Sequence, residues 1–286
     1  MTARLPGLLT IGAALSLAAC SEVADSPTVP GNDPGPSLIT FGTPDGGAHP
    51  NVGIMLFVQN GEGYYACTGT LASPTVMITA GHCVESEGNE NSVTYVRFAD
   101  DPLADRGQYR TTQQWLNAKW IKAVSVEPHP QYNDFAEFPR TYDVGVVILP
   151  GNADLPTTYA VLPEIDFLTN LTTSQGESKL FTAVGFGDHG VINPFEGGDL
   201  TRRYTTTMLI EAGSTRTGGN QSAKFSNNPG VGGGTCYGDS GGPIFYGSTN
   251  IIAAVTSFGY TECIGNDFNF RLDTRVAQDF LKQYLN

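Results

Sequence analysis

Basic side chains are scarce in this 286-residue chain: 15 Lys and Arg face 28 Asp and Glu, a formal net charge of -13. That shortage excludes nucleic acid as a partner, because a phosphate backbone needs a basic footprint. Only 15% of residues are charged and 40% are hydrophobic, so the chain is neither disordered nor lipid-embedded throughout. The four histidines fall in no H-E-x-x-H arrangement, which argues against a catalytic zinc, and nothing calls for another cofactor. Met and Trp, at four and two, are too few to build a special surface. No short-period repeat or heptad is present. Plentiful instead are 35 Gly and 18 Pro, which predict many turns and short strands. The five cysteines are an odd number, so at least one stays outside any intramolecular disulfide.

Residues 5–19 are uncharged and mostly apolar, preceded by Arg4, and fall short of the roughly 20 residues a membrane span needs. They read as a secretory signal peptide over 1–19. The run closes on Leu17-Ala18-Ala19-Cys20, which resembles the lipobox of bacterial lipoproteins, with Cys20 as the lipidated mature terminus. An ordinary signal peptide with a cysteine near its cut is the alternative. Residues 20–37, rich in proline and poor in anything to bury, read as a tether. The globular part is expected over 38–286.

Short runs rich in Val, Ile, Phe and Thr predict strands at Ile54–Gln59, Val76–Thr79, Val93–Phe98, Val144–Leu149, Leu180–Val184 and Ile251–Thr256. Helical spacing is clear only at the end, where Val276, Phe280, Leu281 and Tyr284 follow a Thr274 cap. Strands with one terminal helix suggest two small barrels or a sandwich.

Three motifs carry chemistry. Cys236-Tyr237-Gly238-Asp239-Ser240-Gly241-Gly242-Pro243 sets a serine among glycines, whose small side chains let a carbonyl approach and leave backbone N–H groups facing it. The same stretch satisfies the G-x-S-x-G elbow of α/β-hydrolases, but that fold needs its histidine after the serine. Here His49, His82, His129 and His189 all precede Ser240. A nucleophilic serine needs a base, and the base needs an acceptor to fix its tautomer. Thr79-Ala80-Gly81-His82-Cys83 supplies the base. Tyr142-Asp143-Val144-Gly145-Val146-Val147-Ile148-Leu149 supplies a carboxylate at the head of an apolar strand.

In this order the motifs resemble the chymotrypsin/trypsin-like serine proteases over roughly residues 39–286. Val184-Gly185-Phe186-Gly187 and Thr256-Ser257-Phe258-Gly259 add to the likeness. The resemblance implies an all-β fold of two six-stranded antiparallel barrels, roughly 38–157 and 158–286, with a C-terminal helix. It implies His82 as base, Asp143 as its support and Ser240 as nucleophile, with the oxyanion held by the N–H groups of Gly238 and Ser240. Gly234, Thr235, Ser257, Phe258 and Gly259 would line the substrate site. Disulfides would join Cys67 to Cys83 and Cys236 to Cys263, leaving Cys20 for lipid.

Two features depart from the family. Gly234 occupies the position where trypsins place an aspartate under the pocket. Asp267 falls near the opposite wall, where it would attract Arg or Lys, unless it is a solvated loop residue. The activation site has no basic residue: cleavage at Leu38–Ile39 would free Ile39 to pair with Asp239. His129 is read as structural, and the acidic run Glu85–Glu90 as a solvated loop rather than a calcium site. The function expected is an exported or membrane-tethered monomeric serine endopeptidase acting on proteins or peptides, touching a membrane only through lipid at Cys20. The alternative is a catalytically silent binding or adhesion module on the same fold.

Overall fold

β-branched and aromatic residues between Gly- and Pro-marked turns pleat into fourteen described strands, β1 to β14, in a computed structural model. The structure describes residues 39–59, 62–85, 92–133, 140–175, 177–188, 198–213 and 220–285. The leader, the tether with Cys20, Leu38, His189 and most of the acidic run at Glu85–Glu90 lie outside them.

β1 (Thr43–Pro44) precedes a seven-stranded antiparallel sheet. That sheet contains β2 (Val52–Gln59), β3 (Glu62–Leu71), β4 (Val76–Thr79), β5 (Ser92–Arg97), β6 (Ile121–Lys122), β7 (Ser125–Pro128) and β8 (Gly145–Ile148). Its order is β6-β5-β2-β3-β4-β8-β7, a curled half-barrel. The edges β6 and β7 are joined through Ala123 and Val124, whose N–H groups donate to Thr94 and Ile148. The expected six-stranded barrel is thus seven strands, with its seam crossed by a connection instead of a ladder.

The second sheet contains β9 (Leu180–Gly185), β10 (Arg203–Ala212), β11 (Ser222–Asn227), β12 (Pro243–Tyr246), β13 (Ile252–Gly259) and β14 (Gly265–Arg271). It closes into a six-stranded barrel, because β9 pairs with both β12 and β10. β1 adds to this barrel through Thr43↔Tyr204 and Pro44↔Arg203. The start of the described chain therefore belongs to the second sheet. All these ladders are antiparallel, and the architecture is the expected all-β, chymotrypsin-like one.

Three α-helices accompany the sheets among the described residues. The terminal one, α3 (Arg275–Leu281), has Thr274 as N-cap, its hydroxyl accepting from Ala277 N–H at 3.2 Å. The other two carry too few apolar residues to advertise a period. α1 (Thr112–Lys119) buries only Trp115 and Leu116, behind a Thr111 cap. α2 (Phe167–Thr173) buries Leu168 and Leu171, and Asp273 Oδ2 accepts from Leu168 N–H near its start at 2.7 Å.

One apolar cluster spans both sheets, with Ile54 and Ile78 of the first and Val184, Phe245 and Phe270 of the second, and a further cluster fills each sheet. Met55, Leu71, Met77 and Val147 lie in one, and Phe181, Leu209, Phe225 and Ile244 in the other. His82 follows β4 and Asp143 precedes β8, so both hang from the first sheet. Ser240 sits between β11 and β12 of the second. The site is built where the two meet.

Candidate active site

β4 ends at buried Thr79, and the chain turns through Gly81 to present His82. The neighbouring Cys83 is bonded to Cys67 on β3, which ties this turn to the sheet. His82 donates its backbone N–H to Asp143 Oδ1 at 2.9 Å. Its ring Nδ1 lies 2.9 Å from Oδ2 and 3.1 Å from Oδ1 of the same carboxylate. Ser257, near the end of β13, donates its hydroxyl to Oδ2 as well. Asp143 is only 3% exposed. Burial alone would raise its pKa, but the charge and hydrogen bonds of His82 and the Ser257 hydroxyl hold it below the ordinary carboxylate value. It is an ionised acceptor fixed on three sides.

The preceding Tyr142 takes φ of +50°, a strained value for a bulky residue. Its ring stacks on His129 at 5.0 Å and 19°. His129 is buried, its Nδ1 accepts from Gln131 N–H, and burial lowers its pKa. Its structural reading fits these contacts.

The Ser240 segment, expected to carry the nucleophile, needs its glycines. Gly238 and Gly241 have φ of +95° and +77°, and a Cβ on Gly241 would lie 2.0 Å from the Thr79 hydroxyl oxygen. Thr68 on β3 holds this turn: its N–H donates to Ser240 O at 2.8 Å and its hydroxyl to Gly238 O at 2.9 Å. Gly241 N–H donates to Thr256 O, and Thr256 N–H donates to Gly242 O, each at 2.8 Å. The turn is thereby fastened to both sheets. Thr68 belongs to none of the sequence motifs, and only its place beside Cys67 could have pointed to it.

Asp239 is fully buried and accepts from Gly187 N–H and Cys236 N–H, each at 2.8 Å. Burial pushes its pKa up to about 7; the two amides oppose the rise, while the charges of Asp267 and Asp188 reinforce it. Among the described residues no hydrogen bond joins it to Ile39, whose nitrogen here is a peptide N–H. Ile39 is nonetheless fully buried, and Thr40 O accepts from Gly234 N–H at 3.4 Å. The Thr40 hydroxyl donates to Cys263 O at 3.3 Å.

Asp267, on β14, is 2% exposed and is not a solvated loop residue. Its Oδ2 accepts from Thr235 N–H at 2.8 Å and from the Thr235 hydroxyl at 2.9 Å. Its Oδ1 accepts from Asn227 Nδ2 at 3.0 Å, and a Cβ on Gly259 would stand 2.9 Å from that oxygen. Burial raises its pKa to about 6 against these hydrogen bonds. Asn227 also donates to Thr235 O and presses against Gly234. It ties the residues expected around the pocket together, a role no spacing in the sequence announces. Cys236 and Cys263 are bonded, bracing the nucleophile segment against the stretch before β14.

A second buried network lies at the sheet junction. Arg202 donates to Asp45 Oδ2 at 3.0 Å, to Val52 O at 2.8 Å, to Phe98 O at 3.0 Å and to Asp100. Asp45 also accepts from the ring and backbone of His49. Burial works against ionisation of Asp45, but His49 and Arg202 prevail and lower its pKa to about 2.

The trypsin family model matches residues 45–281. The chain belongs to the trypsin family. Among curated relatives, this family member is similar to the phenoloxidase-activating enzyme of Bombyx mori. They are 25% identical over 244 residues, covering 76% of this chain and 53% of that protein. The chain thus spans about half the length of that relative. It is also similar to brachyurin of Leptuca pugilator, 27% identical over 202 residues, covering 68% of this chain and 76% of that one.

Solved structures agree on the fold alone. HL collagenase superposes with a TM-score of 0.57 at 19% identity, covering 82% of this chain and 93% of that one. Human heparin binding protein gives 0.58 at 18% identity, covering 86% and 96%. Both curated relatives are animal proteins, and neither supports the bacterial lipoprotein-type leader. The two disulfides suit an oxidising compartment outside the cytoplasm.

Proposed function

We propose that this trypsin-family chain is a serine endopeptidase that hydrolyses peptide bonds through His82, Asp143 and Ser240. The observation that carries the reading is the Ser257–Asp143–His82 hydrogen-bond chain. With Nδ1 donating to Asp143, Nε2 is the ring nitrogen that takes the Ser240 proton as Oγ attacks the scissile carbonyl. The N–H groups of Gly238 and Ser240 then hold the oxyanion, each worth about 3–4 kcal/mol. His82 returns the proton to the leaving amine, and water reverses the sequence on the acyl-enzyme. A fluorophosphonate probe should label the wild-type protein and spare Ser240→Ala. Absence of label on the processed wild type would instead favour a silent binding module.

The substrate chain would lie along Ser257, Phe258 and Gly259, where the recorded β12 ladder stops at Pro243↔Val255. Below it, Asp267 is a buried carboxylate whose hydrogen-bond partners among the described residues are neutral donors. Buried charges are ordinarily paired, which supports a basic side chain before the cut as its missing partner. Equal turnover of Phe and Arg peptides, unchanged by Asp267→Ala, would sink this preference.

Among the described residues no cation is paired with Asp239 either, and cleavage at Leu38–Ile39 would supply the Ile39 ammonium. The same cut would separate the protease from a lipid at Cys20 and its tether, so activation and release form one event. Active protein whose terminal sequence begins at Cys20 would contradict it. Mass analysis of the N-terminal fragment distinguishes lipidation from ordinary signal cleavage. The unit is read as a monomer on protein or peptide substrates, exported by residues 1–19.

A further inference from the structure

α3 and the turn that follows β7 leave a cleft of about 350 Å³ between them. Val276, Asp279, Phe280 and Gln283 form the helical wall, spaced so that they share one face. His129, Pro130 and Gln131 form the other wall. Asp279 is the single carboxylate among these residues, and it is exposed. No ion pair or hydrogen bond occupies that carboxylate among the described residues, and no Lys or Arg lines the cleft beside it.

His129 is the buried polar group of the cleft, at 8% exposure. Its ring stacks on Tyr142 and meets Phe280 at 5.1 Å and 56°. Nδ1 accepts from Gln131 N–H at 3.1 Å, so the neutral ring carries its proton on Nε2. Burial lowers the pKa of the ring and favours that neutral form. No acceptor takes up Nε2–H among the described residues. With Tyr142, Phe280 and Gln131 against the rest of the ring, the Nε2 edge borders the cleft. A buried donor without a partner is costly, and the cleft is where a partner can reach it.

We propose that this cleft binds the free amino terminus of a peptide whose first residue is apolar. Such a residue carries an ammonium, an apolar side chain and a carbonyl oxygen on neighbouring atoms. Asp279 is the counterion for the ammonium. Val276, Phe280 and Pro130 take the side chain, and His129 Nε2–H donates to the carbonyl. An internal peptide segment has no ammonium to offer Asp279, and a simple alkylamine has no acceptor for His129. The net charge of -13 draws cationic ends towards the chain. His129 is also held before a ligand arrives, because its backbone N–H donates to Val144 O at 2.8 Å and its ring is stacked. A donor fixed in this way lowers the ordering cost of binding. The site uses none of the residues assigned to catalysis, and its occupancy does not depend on the proposed hydrolysis. On that activity, each peptide bond cut would leave one terminus of this kind.

Titration of the protein with leucinamide, followed by the amide chemical shifts of α3, tests the site. Leucinamide should bind saturably with a Kd on the order of 1 mM, the affinity of a few weak contacts. N-acetyl-leucinamide lacks the ammonium and should bind wild type about 3-fold more weakly, and Asp279→Asn should weaken leucinamide by about as much. Glycinamide lacks the side chain and should bind about 10-fold more weakly. His129→Phe keeps a ring on Tyr142 but removes the donor, and should weaken leucinamide about 5-fold. Asp279 is exposed, so its variant tests the site without disturbing the fold. Equal affinities for leucinamide and N-acetyl-leucinamide, or for wild type and Asp279→Asn, would overturn the proposal. Binding that persists in Asp279→Asn but disappears in Asp267→Ala would overturn it too, by placing the ammonium beside Asp267.

Discussion

Thr68 donates its backbone N–H to the carbonyl of Ser240 at 2.8 Å, so a strand of the first sheet fixes the Ser240 turn of the second. Its hydroxyl repeats the connection at Gly238. The Ser240 turn, proposed to carry the nucleophile and its oxyanion donors, is therefore held from across the sheet junction.

Thr68→Val keeps the shape and the backbone bond but leaves Gly238 O without its donor and Phe186 N–H without its acceptor, the latter a longer bond at 3.3 Å. A hydrogen bond of this kind contributes about 1 kcal/mol, or roughly 5-fold. The expected result is a kcat decrease of about that size with KM nearly unchanged. A change confined to KM would assign Thr68 to substrate binding instead.

Asp143→Asn preserves shape but offers Nδ1 the wrong tautomeric partner, and kcat should fall by about 10⁴-fold. Ser257→Ala removes one donor from a carboxylate that keeps its His82 bonds, so its effect should be nearer 10-fold. Steady-state kinetics on one peptide substrate checks both. A Ser257 effect equal to that of Asp143 would mean that the serine does more than support the acid.

The raised pKa of Asp239 predicts a pH-dependent stability of the uncleaved chain. Below the ordinary value of 3.8 the group is protonated whether the chain is folded or not, and contributes no pH dependence. From there to about 7 the unfolded chain releases its proton first, so stability falls as pH rises. The loss is complete above about 7 and is on the order of 4 kcal/mol. Asp267 acts in the same direction up to about pH 6. Thermal melts of the uncleaved chain from pH 4 to 8 should show this decline. The decline should shrink in Asp239→Asn, and also after Leu38–Ile39 cleavage if the Ile39 ammonium pairs with Asp239. A flat profile in the uncleaved wild type would contradict the buried charge.

Arg202→Ala would strip the cation from buried Asp45 and leave the carbonyls of Val52 and Phe98 without this donor. Breaking one side of a buried pair costs about 3–5 kcal/mol. The loss should appear in the denaturant midpoint, with the denaturant slope unchanged. Arg202→Met, which keeps most of the volume, should lose less because nonpolar contact partly replaces the pair.

What the sequence discloses follows from how strictly chemistry constrains it. His82, Asp143 and Ser240 stand out as candidates because each sits in a run whose glycines, cysteines or apolar neighbours permit few alternatives, and the structure joins His82 to Asp143. Val76–Thr79 reads as a strand with its observed bounds because it is short, apolar and closed by Gly81. The Thr274 cap and its apolar spacing announce α3. Trp115 and Leu116 alone are too little to announce α1. Asp45 and Arg202 are ordinary surface types, and only the fold brings them together. Asn227 and Thr68 act through backbone and side-chain hydrogen bonds, which leave no periodic trace. The pocket was legible as a question, and burial answers part of it by enclosing Asp267.

The pairing of β1 with β10 has a consequence for how the chain is made. Thr43 finds its partner at Tyr204, about 160 residues later. At roughly 5–20 residues per second of synthesis, that edge waits about ten to thirty seconds for its strand to exist. Contacts this distant in sequence also slow folding after release. During that interval the beginning of the chain remains open to any partner that can offer it an edge.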